Sequence, residues 1–133
     1  MAQAMTATSA VFEKQVGERL KLRPVEFTIL AMVDEHPGMT GSMLSRALAV
    51  AAPNLSNLLA KLEERGLIRK EASEVDRRAS YVFATVQGAL IARQAAMSIA
   101  AGELETLASL SSGERMLLVE LLEKVAASRP MPR

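Results

Sequence analysis

Asn54, Ser56, Asn57 and Lys61 fall within one short stretch that Pro53 opens and that holds no acid before Glu63. Each carboxamide offers a donor and an acceptor on a short stem, the pattern that an adenine edge presents in the major groove of duplex DNA. A lysine reaches a guanine edge or a phosphate, and a serine hydroxyl serves base or backbone. Further along, Asp76, Arg77 and Arg78 form a compact charged triplet. An arginine gains from the enhanced negative potential of a narrow minor groove. Asp76 can aim a neighbouring guanidinium through a charge-assisted hydrogen bond. Arg69 and Lys70, just upstream, are candidate phosphate contacts. Taken singly, these groups describe a solvated helix face and a solvated turn. Their adjacency points to a nucleic-acid surface.

The elements that must position them follow from periodicity. Leu55, Leu58, Leu59 and Leu62 fall at i, i+3, i+4 and i+7 and predict a helix buried along one stripe. Pro53 suits its first turn, and Gly66 suits its left-handed end. Two apolar segments, Leu67–Arg69 and Tyr81–Thr85, predict a hairpin whose tip holds Asp76, Arg77 and Arg78. Upstream, Pro24 starts a buried helix that ends before His36-Pro37-Gly38. Thr40 caps a short helix with Met43, Leu44, Ala47 and Leu48 inward, and Val50-Ala51-Ala52 is the turn into the polar-faced helix.

Three more helices flank this unit. The first is expected over about residues 8–22, with Val11, Phe12, Val16 and Leu20 as its stripe. Thr85 caps a long one to about Leu107, in which Leu90, Met97 and Leu104 repeat every seventh residue. Ser111 and Glu114 form a capping box for the last, striped by Leu118, Leu121, Leu122 and Val125. The tail Ser128–Arg133, with two prolines, is expected to fray. The flanking stripes can close either as a bundle on the winged unit or across a two-fold axis with a second copy. The second is favoured because symmetric DNA readers use it.

The fold class expected is therefore mainly α with a small β-hairpin wing. Residues 24–85 form a winged helix-turn-helix DNA-binding domain, and residues 1–23 and 86–133 form dimerisation helices, all in one compact unit. Charge distribution agrees. The net charge is only +1, but from His36 to Leu62 there is no acid, while Arg46 and Lys61 lie inside that window. A surface that faces phosphates needs such a window, because a misplaced carboxylate repels them.

The chain resembles the MarR family of bacterial transcription regulators. The resemblance is carried by Leu22-Arg23-Pro24-Val25-Glu26-Phe27-Thr28-Ile29-Leu30 and His36-Pro37-Gly38-Met39-Thr40. It continues through Pro53-Asn54-Leu55-Ser56-Asn57-Leu58-Leu59-Ala60-Lys61-Leu62-Glu63-Glu64-Arg65-Gly66-Leu67-Ile68, then Asp76-Arg77-Arg78-Ala79 and Thr85-x-x-Gly88. It implies a homodimer, joined by the first and last two helices, on a pseudo-palindromic operator of double-stranded DNA. It assigns sequence readout to the helix of Asn54 and Asn57, the minor groove to Arg78 and phosphate to Arg77. It implies a repressor released by a small apolar or aromatic effector, seated between the dimer helices and the winged domain, with Phe12, Val16, Met32 and Leu90 as wall residues. The first helix looks shorter than the family's.

Other functions find little support. There is no cysteine and one histidine, so neither a thiol switch nor a metal site is expected. No glycine-rich phosphate loop, zinc-protease pair or nucleophile elbow is present, so neither catalysis nor a cofactor is expected. Aromatic residues make up 3%, too few for base-stacking platforms on single strands. No apolar run is long enough to span a bilayer, and Met1–Ala10 lacks the pattern of a secretory signal, so a cytoplasmic protein without a membrane partner is expected. The rival function is a winged helix whose polar face binds a protein and reads no DNA sequence.

Overall fold

A computed structural model describes residues 1–128; the expected fraying beyond Ser128 lies outside the described residues. The N-terminal rod runs through α1 (Ala2–Phe12), a π-helical turn over Glu13–Gly17 and α2 (Glu18–Leu20). It begins well ahead of the expected residue 8 and stops at Leu20. Stripe-reading misses this start because no residue of α1 is buried. Alanine propensity extends the helix there without help from packing. Lys21, left-handed at φ 53°, ends the rod.

In α3 (Pro24–Glu35), Pro24 sits where a missing N–H costs nothing, and the buried Glu26 carboxylate accepts the Arg23 backbone N–H at 2.8 Å. Gly38, at φ +85°, makes the turn into β1 (Met39–Thr40). This two-residue strand pairs antiparallel with β3 and was not expected, since it is too short to show alternation. Thr40 caps α4 (Gly41–Leu48), accepting the Met43 N–H at 3.2 Å. Leu44 is buried and Leu48 half-buried, but Met43 and Ala47 are exposed, correcting their expected inward placement. In so short a helix one row, Leu44 and Leu48, reaches the core, and Met43 and Ala47 lie one residue off it.

The turn after α4 is held by left-handed Ala49 and by the Ser45 hydroxyl, which donates to the Val50 carbonyl. Next comes α5 (Ala52–Glu64), with Leu55, Leu59 and Leu62 buried. Gly66, at φ +70°, turns the chain into β2 (Ile68–Ala72), which pairs with β3 (Ser80–Ala84) from Ile68↔Ala84 to Ala72↔Ser80. The sheet order is β1-β3-β2.

Thr85 Oγ1 accepts the Gly88 N–H at 3.0 Å and opens α6 (Val86–Thr106). Ser111 and Glu114 close the expected capping box on α7 (Ser112–Ala127). One core joins Leu30, Leu44, Leu62 and Val82 of the winged unit with Val16 of the rod and Ala92 and Ala95 of α6. The core of the winged unit is thus continuous with both flanking segments. Gly88 is required where α6 crosses the sheet: a Cβ there would lie 1.9 Å from the Leu67 carbonyl oxygen. Arg93 clasps Asp34 of α3 with two hydrogen bonds of 2.9 and 3.0 Å. Those bonds, and the charge behind them, raise the Arg93 pKa further above its ordinary value.

Candidate nucleic-acid interface

With Leu55, Leu59 and Leu62 holding α5 to the core, its other side is presented outward. Pro53, Asn54, Ser56, Asn57, Ala60 and Lys61 are all exposed. The helix stands as a ridge between two grooves. On the wing side, a groove of about 760 Å³ is lined by Ser42, Arg46, Ser56, Lys70, Arg78 and Ser80, among others. On the other side, a groove of about 400 Å³ is lined by Arg23, Val25, Val50, Asn54, Asn57, Leu58 and Lys61. The carboxamides thus lie beside Arg23 and Lys61, while Ser56 looks across to the wing.

The wing tip is a built turn. Ser73, buried, accepts the Val75 and Asp76 backbone N–H groups at 3.3 and 3.1 Å. Asp76 Oδ1 accepts the Arg78 backbone N–H at 2.9 Å. The turn closes through Ala79 N–H to the Asp76 carbonyl at 3.0 Å and Ser73 N–H to the Ala79 carbonyl at 3.1 Å. Asp76 therefore orders the backbone under Arg78, in place of the guanidinium contact expected. A short acidic side chain satisfies the N–H two residues on more readily than it reaches a long, solvated guanidinium.

The cations divide into two groups. Among the described residues, Arg46, Lys61, Arg77 and Arg78 take part in no ion pair. Arg69 and Lys70 are engaged within the chain. Arg69 pairs with Glu71 and lies 4.4 Å over the Phe83 ring, while Lys70 reaches Glu63 at 3.3 Å. Strand alternation turns Lys70 toward the wing-side groove and Arg69 away from it.

A sequence model of the MarR family matches residues 20–79, from the end of the rod through the wing tip. Over that stretch the chain is similar to the MarR family. Transcriptional regulator HosA of Escherichia coli O157:H7 is 29% identical to it over 100 residues, 75% of this chain and 74% of that one. The HTH-type transcriptional repressor Rv2887 of Mycobacterium tuberculosis is 28% identical over 102 residues, covering 77% and 73%. The fold is similar to that of BpsR from Bordetella bronchiseptica, whose DNA binding is regulated by 6-hydroxynicotinic acid. The TM-score is 0.83 at 20% identity, over 96% of this chain and 91% of that one. PcaV of Streptomyces coelicolor, solved with its natural ligand, also gives 0.83 at 20% identity, over 96% and 89%. At such identities these structures speak for the winged-helix fold.

On this winged-helix scaffold, two further residues, not expected from sequence, bear on the outward surface, one from beneath it and one on it. Ser73 orders the wing tip, and Arg23 faces Asn54 and Asn57 across the smaller groove. Arg23 did leave a signal: a cation at a helix start opposes the helix dipole, so it needs another reason to be there. The four residues expected around an effector differ in exposure. Val16 is fully buried in the core, and Phe12 packs against Phe27 with ring centroids 6.0 Å apart. Met32 is half-buried against the core, whereas Leu90 is 61% exposed on α6. Leu90 belongs to the same outward row as Met97 and Leu104, at 75% and 59% exposure. No three His, Cys, Asp or Glu side chains gather as a metal site among the described residues, and no helix there is long and apolar enough to cross a membrane.

Proposed function

We propose that this chain is a homodimeric, sequence-specific regulator of transcription that represses by occupying a pseudo-palindromic operator. The observation that supports it best is the ridge of α5. Asn54, Asn57 and Lys61 project from a helix fixed by three buried leucines, with unpaired Arg46 and Arg78 across the wing-side groove. The carboxamides and Lys61 read base edges in the major groove. Arg78, on its ordered turn, enters the adjoining minor groove, and Arg77 meets phosphate.

The second copy supplies what the exposed apolar residues of α6 and α7 lack. No residue of α7 is buried, although it carries Leu117, Val119, Leu121, Leu122 and Val125 at 48–56% exposure. With the Leu90–Met97–Leu104 row, this face suits an identical partner across a two-fold axis. Two α5 ridges then address half-sites about 34–36 Å apart.

The names of HosA and the Rv2887 repressor support regulation and repression. BpsR, whose DNA binding 6-hydroxynicotinic acid regulates, and PcaV, solved with its natural ligand, support a small-molecule effector. Such an effector sits where the rod meets α3, with Phe12 and Met32 on its wall, and acts by favouring a lobe separation that no longer matches the operator. Selection of random duplexes on the purified protein tests the reading. It expects enrichment of an inverted repeat. No enrichment at low salt removes it and leaves the protein-binding winged helix as the better account.

A further inference from the structure

The last carbonyls of a helix have no partner within it. At the end of the N-terminal rod they are met by a side chain from the far end of α5. Arg65 Nη1 donates to the Lys21 carbonyl at 2.8 Å, and Nη2 donates to the Leu20 carbonyl at 2.9 Å. The guanidinium fork spans two adjacent acceptors, and its charge complements the negative end of the rod. The next two residues bind the other flanking helix. The Gly66 carbonyl accepts the Thr85 hydroxyl at 2.7 Å, and the Leu67 carbonyl accepts the Thr85 N–H at 3.1 Å and abuts Gly88. Residues 65–67 thus form one corner at which the recognition helix is tied both to the rod and to α6.

We propose that Arg65 is a positioning residue that locks α5 to the N-terminal rod and thereby sets the half-site spacing the dimer accepts. This rests on the DNA reading above. Arg65 itself contacts no base: its fork is committed to the rod. Without it, α5 remains folded, since Leu55, Leu59 and Leu62 hold it, and keeps its tie to α6 through residues 66–67, but its angle to the rod is less tightly fixed.

The test compares wild type, Arg65→Ala and Arg65→Lys on the selected operator and on versions with one to three base pairs inserted between half-sites. Wild type should discriminate strongly against the insertions. Arg65→Ala should lose about tenfold of that discrimination, within the range of coupling between linked elements. Arg65→Lys, with a point charge and no fork, should fall between them and serves if the alanine variant folds poorly. The slope of affinity against salt should not change, because no phosphate contact is lost. Without DNA, hydrogen exchange over residues 16–23 should quicken in Arg65→Ala while residues 53–64 stay protected. Unchanged spacing discrimination in a folded Arg65→Ala overturns the proposal, as does a salt slope reduced by about one with discrimination intact. A wild-type chain indifferent to spacing would instead sink the DNA reading, a result distinct from a variant that matches a spacing-sensitive parent.

Discussion

Asn57 and Arg78 carry different parts of recognition, and their substitutions should separate. Asn57→Ala removes a donor–acceptor pair and should cost about 1–3 kcal/mol at one base position of each half-site, relaxing preference there. A panel of operators changed singly at each position reads this directly. Arg78→Ala should weaken binding to all sequences by a similar factor and lower the salt slope by about one. Equal loss on every operator for both variants would contradict the division between base reading and charge. Arg77 and Arg78 were legible as residues, but the frame beneath them was not. Ser73 looks like any loop serine in sequence, and only the closed turn shows that its hydroxyl holds the Val75 and Asp76 N–H groups.

Elements were legible where a buried stripe or a cap defines them. Leu55 to Leu62 marked α5, Thr85 marked the start of α6, and Ser111 with Glu114 marked the start of α7. They were illegible where neither operates. The opening of α1 buries nothing, and β1 has two residues. Two predictions belong here. The Glu114 carboxylate accepts the Ser111 backbone N–H at 2.7 Å, and that bond, then the one to the Ser111 side chain, holds its pKa below the usual carboxylate value. Its stabilisation of α7 is therefore full above the ordinary carboxylate range and is lost as pH falls through the depressed value. Amide protection at the first turn of α7, taken relative to the intrinsic exchange rate at each pH, should fall on acidification, and Glu114→Gln should remove most of that pH dependence. At the other junction, Gly88→Ala places a methyl against the Leu67 carbonyl and must part α6 from the sheet. Thermal unfolding should fall clearly, where an exposed helical glycine replaced by alanine would gain stability by about 0.5–1 kcal/mol.

At the scale of the whole molecule, one core ties the winged unit to both flanking segments, while α7 and the Leu90–Met97–Leu104 row stay uncovered. The seven-residue row was plain in the sequence, but its direction was not. Periodicity says that three residues share a face and leaves open whether that face meets the chain or its copy. The structure turns Leu90 outward with Met97 and Leu104, at 61% exposure. Met97→Glu with Leu104→Glu should give a folded monomer by sedimentation, with operator affinity lowered about 100-fold or more as the two-site linkage is lost. In the proposed complex, two α5 ridges of one dimer read successive turns of one duplex. Hydroxyl-radical footprinting on the selected operator tests it most directly. Two protected patches are expected on one face of the duplex, about 34–36 Å apart and related by symmetry. A single patch, or protection spread evenly around the helix, would contradict it.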